Sequence, residues 1–492
     1  MHSHRPVMDV EDTSKTFTRS AVLYLRGVGV VLLCTFLSLA TQVDILMGPR
    51  GLAPASRALS GEVNLLEKPT LLWLSTSNAM LWSVIALGVV GCALLIWGRA
   101  RHVGIIAVYV AYLSLVTAGG VFFHFQWDNL VLEALALCLL LPWRANRAPH
   151  PLVVSALRFL LFRLYFESGV VKALWGKESW GAWIAMDRYY ETAPLPLLLG
   201  WVAHQLPHAV HVVEEAVTFL LELVLPFGFL VPWSGRAWCV VPAVLLQGAI
   251  LATASYGSFN FMSALLCLWL VEDRQWERVV AWLRRAPLAT PTPVLATTWR
   301  SGSGCVVAVL CGLQMLLTTW GFLEMVQPRW TSAWMTRVDL ALSPFRVANN
   351  YHLFANITLT RPTVEIQGST DGEHWEPYQF HHAPGALDDA PPLVLAPHHP
   401  RVAFQMWFLA LSRRHEAWFD RLVRGLCEED SPVHRLFKRE PPQPPARLRY
   451  VLLNYTMTDV GTLWRTGRWW NAEVLDASSP QLICGTRTWV RP

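Results

Sequence analysis

The residues of this chain best suited to chemistry lie inside apolar stretches, where charge is expensive and usually faces a bundle interior or a wet cavity. The segment RFLLFRLYFESGVVKALWG carries Arg158, Arg163, Glu167 and Lys172 in one helical run. Arg163 and Glu167 are i,i+4 neighbours on a helix and can neutralise each other. Lys172 has no such local partner. A lysine held in an apolar site can act as a base or nucleophile; the plainer alternative is that its stem snorkels to the membrane surface. In HFQWDNLVLEAL, His124, Gln126, Asp128 and Asn129 open a span, and the last two could cap it. Glu133 lies more than a turn further in, which capping does not explain; a structural polar network or a lined cavity would. In HAVHVVEEAVTFLLELVLPFG, His211 and Glu215 share a helix face as metal ligands can, beside His208 and Glu214. These residues start near the membrane surface, where polar groups are cheap, and no metal is expected; Glu222 sits deeper. ATASYGSFNF, with Tyr256, Ser258 and Asn260, reads as a re-entrant turn between two spans.

The elements that must hold these residues are membrane helices. Hydrophobic residues make up 53% of the 492 and charged residues 15%, against about 25% charged in soluble proteins. Much of the surface must therefore face lipid. The net charge of +5 is dispersed, with no basic block dense enough for nucleic acid. Runs of about 20 apolar residues mark spans, and about nine are expected: 22–46, 79–98, 103–123, 127–143, 152–175, 209–232, 237–255, 258–272 and 303–326. The stretch 194–206 is too short to cross and is expected at the interface. Loops on one side collect Lys15, Arg19, Arg99, Arg101, Arg144, Arg147, Arg236, Arg274, Arg278, Arg284, Arg285 and Arg300. The positive-inside rule makes that side cytoplasmic, and an odd span count then puts the C-terminal part on the other side.

Three regions follow: a polar tail over 1–21, a multi-span membrane domain over 22–326, and a β-rich α+β domain over 327–492. In the last, 363–380 alternates around Asp371-Gly372 as a hairpin does, 401–425 reads as helix, and 446–458 as a strand. Seven of the nine cysteines fall in apolar segments; Cys427 and Cys484 could pair if their side is oxidising. No GxGxxG, Walker A, HExxH or GxSxG motif is present, and no cofactor is expected.

FQWDNLVLE, MDRYYETAPLP, HQLP, LELVLPF, SYGSFNF, NNYHLFANITLTRPTVEIQGSTDGEHWEPYQF, PHHPRVAFQMWFLAL, WFDRLV and RYVLLNYTMT occur here in that order, followed by Trp469-Trp470. This set closely resembles the lipase maturation factor family across roughly 110–275 and 345–475. The resemblance implies a multi-pass membrane protein of the endoplasmic reticulum with a large lumenal C-terminal domain, whose partner is a secreted protein client, a lipase. In a bacterial host the membrane would be the plasma membrane. The family-motif residues are Gln126, Trp127, Asp128, Asn129, Tyr190, Glu191 and Asn260. YFESGVVKALWGKESW also resembles, more distantly, the membrane segment of vitamin K-dependent γ-carboxylase and its bacterial relatives. That likeness would make Lys172 a base, supported by Glu167, Asp128 or Glu222.

Two readings stand first. One is a non-enzymatic folding factor whose C-terminal domain holds a client through a β-edge or an aromatic patch, with Trp375, Trp407 and Trp418 as candidates. The other is a carboxylase-like membrane enzyme using Lys172. A transporter using the intramembrane charges is a third. The sequence carries nothing on oligomeric state.

Overall fold

The computed structural model describes residues 16–145, 147–285, 302–412, 416–477 and 479–490. Lys15 and Arg300, counted above in the charge bias, lie outside the described residues.

The N-terminal part is helical. It runs through α1 (Thr18–Ala40), α2 (Asn78–Trp97), α3 (Arg101–Ala118), α4 (Gln126–Cys138), α5 (Pro151–Trp175), α6 (His208–Phe219), α7 (Leu225–Leu230), α8 (Val240–Thr253), α9 (Phe259–Leu266), α10 (Asp273–Arg284) and α11 (Gly302–Val326). Local chemistry sets the boundaries. Ser77 caps α2 by accepting from the Met80 amide, and Gly98, at φ 73°, ends it. Pro151 opens α5, where its missing N–H costs nothing. Between α6 and α7, Leu220–Val224 forms a π-helical turn. Pro226 has no N–H to give the Glu222 carbonyl, so the regular ladder cannot continue.

Among the described residues, five helices are long and apolar enough to cross a membrane: Thr18–Ala40, Asn78–Trp97, Arg101–Ala118, Ser234–Thr253 and Gly304–Val326. The count of nine is not reached on that measure, and each shortfall has a reason. The expected span 127–143 is the 13-residue α4. The span 258–272 is Phe259–Leu270, also short. The span 209–232 is broken by the π turn. The span 152–175 is a full 25-residue helix, but four charges interrupt its apolar run. The first span ends at Ala40, and Val43–Met47 is a separate short helix. The stretch expected at the interface contains the short helix Leu198–His204.

Helix ends are tied together at two opposite ends. At one, Asp273 accepts from Thr16 Oγ1 at 2.7 Å and from the Arg19 amide at 2.8 Å. There too Arg236 pairs with Glu272, Arg158 Nε donates to the Trp269 carbonyl at 2.8 Å, and His102 Nε2 lies 2.9 Å from the Leu141 carbonyl. At the other end, the far termini of α1 and α5 and the beginning of α4 meet residues from beyond 345.

That C-terminal region begins as an irregular segment over 346–360 and then folds into strands. They are β1 (Arg361–Ser369), β2 (Glu376–Pro377), β3 (Gln379–Phe380), β4 (Phe437–Arg439), β5 (Arg447–Met457), β6 (Trp470–Asp476), β7 (Gln481–Ile483) and β8 (Thr488–Val490). β1 and β2 form the hairpin announced by Asp371-Gly372, with Gly372 at φ 87°. β5 pairs β1 antiparallel along its whole length, from Arg361 opposite Tyr455 to Ser369 opposite Arg447. Its other side carries β6 and β7, and β8 follows β7. β3 and β4 make a separate pair. The single helix expected over 401–425 is two: α12 (Arg401–Ser412) and α13 (Ala417–Gly425). A disulfide joins Cys427, just after α13, to Cys484, just after β7, across 57 residues of chain.

Cross-linking a loop of that length restricts the unfolded chain. Cys427→Ser is therefore expected to lower the stability of the C-terminal region by roughly 2–4 kcal/mol. Thermal unfolding followed by tryptophan fluorescence under non-reducing conditions checks this, and an unchanged transition would count against it.

Candidate functional site

The charged residues singled out above converge on a seam between the membrane helices and the C-terminal region. Asp128, in the first turn of α4, is fully buried and held by Arg401, the first residue of α12, also buried. Arg401 Nη1 and Nη2 lie 3.0 and 2.8 Å from the two carboxylate oxygens. Nη1 also donates to the Phe122 carbonyl at 2.6 Å, and the guanidinium sits 3.9 Å from the Phe123 ring centre. The Tyr112 hydroxyl donates to Asp128 Oδ1 at 2.5 Å. Burial pulls the Arg401 guanidinium down, and Asp128 and Tyr112 more than reverse this, so the cation is held.

A second cluster surrounds Glu133. Arg163 forms an ion pair with it, and Gln314 Nε2 from α11 donates at 2.7 Å. The same carboxylate accepts from Asn349 Nδ2 at 2.9 Å and from the Tyr351 hydroxyl at 2.9 Å. Arg163 in turn donates to the Asn349 carbonyl at 2.6 Å. Glu167 stands 3.8 Å from Arg163 and accepts the Tyr351 amide at 2.7 Å. The i,i+4 pair expected between Arg163 and Glu167 is thus the weaker half of a larger network.

The third cluster holds Lys172. It is buried and does not reach a membrane surface. Its ammonium donates to Glu222 Oε1 and Oε2 at 2.8 and 2.7 Å and to the Leu353 carbonyl at 3.0 Å. That uses all three of its hydrogens. The π turn presents Glu222, and Gly169 lets α5 approach it: a Cβ there would meet Glu222 Cβ at 2.9 Å. Of the four groups proposed to act together, only Lys172 and Glu222 meet. Asp128 and Glu167 are engaged elsewhere by Arg401, Tyr351 and Arg163.

Two cavities flank this seam. One of about 440 Å³ is lined by Lys172, Glu222, Tyr189, Tyr190 and apolar residues of α6 and α8. The other, about 360 Å³, is lined by Gln126, Trp127, Tyr256, Phe404 and Trp407. Tyr189 and Phe354 belong to both walls. Phe354 sits at φ 54°, a conformation costly for a side chain bearing a Cβ.

Three of the other six family-motif residues, Gln126, Trp127 and Glu191, also serve the seam. Gln126 Oε1 accepts the His352 amide at 2.8 Å, and Glu191 Oε2 accepts the Met457 amide at 2.8 Å. Trp127 is buried and stacks on Phe125 at 4.6 Å. Tyr190 packs on His211 at 5.6 Å. Asn260 is buried within the helices, donating to Gln247 Oε1 at 2.9 Å, and Asn129 is half-buried outside these clusters. His211 Nδ1 lies 2.8 Å from Glu214 rather than facing Glu215, which accepts the Met186 amide at 3.0 Å. Among the described residues, no group of three or more His, Cys, Asp and Glu could hold a metal ion.

The aromatic candidates separate. Trp418 is buried against Phe122, ring centres 5.4 Å apart, so it braces the seam and offers no surface to a client. Trp407 is half-buried and donates to the Thr192 carbonyl at 2.8 Å. Trp375 lies on the β1–β2 hairpin with Arg449 stacked 4.2 Å from its ring centre.

The sequence reading missed Arg401, Arg361, Tyr351 and Asn349. Arg361 donates to the carbonyls of Glu191 at 3.1 Å and Pro194 at 3.2 Å, and also to Ala193. Burial lowers its guanidinium to about 10, with Glu191 opposing, so it stays charged at neutral pH. A charge opening an apolar helix (Arg401) or a strand (Arg361) was the available signal.

This geometry defines a polytopic membrane scaffold with a β-rich region clamped onto one end. The comparisons agree with it. Residues 18–278 match the family model of the lipase maturation factor transmembrane domain, and residues 347–480 that of the lipase maturation factor C-terminal domain. The chain belongs to the lipase maturation factor family. It is 30% identical to lipase maturation factor 2 of Rattus norvegicus and of Homo sapiens, over 95% of this chain and 83% of each relative. To lipase maturation factor 1 of Bos taurus it is 27% identical, over 95% of this chain and 89% of the relative. No solved structure matches the chain.

Two outcomes follow from the seam. Arg401→Met strands a buried carboxylate and is expected to cost about 3–5 kcal/mol, whereas adding Asp128→Leu should recover most of the loss. A double-mutant cycle on thermal unfolding in detergent reads this; simple additivity would refute it. The second concerns His399, buried between Ser38, Gln42, Phe125, Trp127 and Phe404. Burial, with help from Arg401 and His398, pushes its imidazole well below the usual value, and His382 is lowered to about 4. The unfolded chain takes these protons near pH ~6.5 and the folded chain does not. Their stabilisation is therefore complete above that pH and lost as pH falls below it, by at most about 1.4 kcal/mol per pH unit for each group. Unfolding temperatures measured from pH 7 to pH 5 should fall, less steeply for His399→Phe; parallel profiles would exclude His399 as a source.

Proposed function

We propose that this chain is a membrane-resident maturation factor for secreted proteins, lipases by its family, and that it acts through its C-terminal region on the non-cytoplasmic side. The observation that carries this is the seam. Lys172 spends every hydrogen on fixed partners, and Asp128, Glu133 and Glu167 accept from groups of the C-terminal region. The membrane charges serve to hold that region in one pose.

The division at 326/327 and nine crossings are part of the proposal. The alternation of helix ends supports it: α4, α5, the α6–π–α7 unit and α9 would cross with the five longer helices. The charge bias supports a cytoplasmic face at the Asp273 end, and the Cys427–Cys484 bond suits an oxidising space on the other. The membrane would be that of the endoplasmic reticulum, or the plasma membrane in a bacterial host.

The client surface we favour is the outer edge of β6. Six of its seven residues are exposed, and among the described residues no strand covers that edge. Val474 and Leu475 stand there 60% and 47% exposed, and Trp464, on the connection from β5, is 84% exposed. An open edge can add an extended client segment by main-chain hydrogen bonds.

The cavity beside Lys172 favours a second reading, a membrane enzyme. Co-expression with a secreted lipase, reading secreted activity per unit lipase mass, separates the two. Val474→Lys with Leu475→Lys should leave the factor abundant and lower that ratio several-fold. Lys172→Met with Glu222→Gln, which removes both charges together, should leave it near the wild-type value. Loss of activity in the second variant at normal abundance and with an unchanged unfolding temperature would instead favour the enzyme reading.

A further inference from the structure

We infer that the 440 Å³ cavity beside Lys172 and Glu222 binds an uncharged, hydroxyl-bearing lipid that enters sideways from the bilayer. This does not rest on the maturation reading. Its walls are apolar: Val217 and Leu221 on one side, Leu245, Leu246, Ala249 and Ile250 on the other. Two of them reach the outer face of the bundle, Leu245 at 67% and Val217 at 44% exposure. They open beside the apolar segment Ser234–Thr253, which contains α8; only 17% of the residues in its apolar window are buried, a surface suited to lipid. The volume falls in the range of small-molecule pockets, about 300–1,000 Å³. An apolar space of this kind does not fill with ordered water, whereas a lipid chain matches its walls.

The polar end of the cavity selects the head group. Among the described residues its one cationic side chain, Lys172, is saturated by Glu222 and the Leu353 carbonyl. Two carboxylates line the space, Glu222 and Glu214. Each Glu222 oxygen accepts one hydrogen from Lys172 and keeps a further acceptor position. A phosphate or carboxylate head would meet these carboxylates with no cation to answer it. A permanently cationic head would have to compete with Lys172 for Glu222 and with His211 for Glu214. A hydroxyl head can donate to Glu222 and take on no charge repulsion. A monoacylglycerol combines that head with one flexible chain, and Tyr189 and Tyr190, also on the wall, can hydrogen-bond its glycerol.

The test is photolabelling of the purified full-length chain in phosphatidylcholine nanodiscs with a monoacylglycerol carrying a diazirine on its acyl chain. Labelling should saturate and map to 208–224 and 240–253. Unlabelled monoacylglycerol should compete at least tenfold better than a fatty acid of equal chain length. Ala249→Trp, which fills the cavity, should cut labelling at least tenfold without shifting the unfolding temperature; Leu246→Trp fills it from a neighbouring position should the first variant not accumulate. Non-saturating label, label on other helices, or equal competition by the fatty acid would overturn the assignment. The wild-type competition profile decides it whether or not either variant folds.

Discussion

A charge placed where water cannot reach must be answered by another group, and in this molecule the answer comes from the far end of the chain. Asp128 meets Arg401 across 273 residues of sequence, Glu133 meets Tyr351 across 218, and Glu167 meets the Tyr351 amide across 184. Arg361 works in the opposite direction, reaching back to carbonyls at 191–194. Removing one member of such a pair is costly, while an apolar pair of the same volume can serve equally well for stability. What the charges add is direction. An apolar seam could slide, but a guanidinium seated on two carboxylate oxygens, a carbonyl and a ring face has one register.

The segment over 346–360 carries most of this constraint. Between α11 and β1 it has little regular structure, yet the carbonyls or amides of Asn349, Tyr351, His352, Leu353 and Phe354 each bond to a side chain of the helical part. Backbone without its own ladder still needs partners for its polar groups, and here Arg163, Glu167, Gln126, Lys172 and Trp180 supply them. One set of hydrogen bonds thus satisfies two needs. The membrane helices neutralise their charges, and an irregular loop is stitched down without forming a helix or strand.

Much of the architecture was legible in the sequence, because it depends on local pattern. The apolar runs marked the helices, Asp371-Gly372 marked the hairpin, and the alternation of 446–458 marked β5. Glu133 was legible as an anomaly, since capping could not account for it. The pairings were not legible. A search at helical spacing finds Arg163 and Glu167 together but cannot find Glu222 for Lys172, 50 residues away on another helix. Asp128 and Trp418 show the same limit: types and positions that suit catalysis or client binding are used to brace the seam, and only the tertiary partner distinguishes those roles. The crossing count rests on the same pairings. α5 was expected to cross despite four charges in its apolar run, and those charges become acceptable once Glu133, Tyr351 and Glu222 are beside them.

The same dependence bears on the order of assembly. A charged side chain at the middle of an isolated membrane helix costs about 2.5–3.5 kcal/mol to insert. Asp128 must wait for Arg401 to be synthesised, while Glu133 and Glu167 meet Arg163 within the helical part and complete their hydrogen bonds only when 349–351 is made. Lys172 does not wait as long, because Glu222 follows it by 50 residues within the helical part. The bundle can therefore be complete in helices while still open at the end that receives the C-terminal region. Closure there couples the pose of the β-sheet, and with it the exposed edge of β6, to correct packing of the membrane helices. A chain whose helices are mispacked would hold that sheet in no fixed pose, because the groups that anchor β1 and α12 would be out of reach.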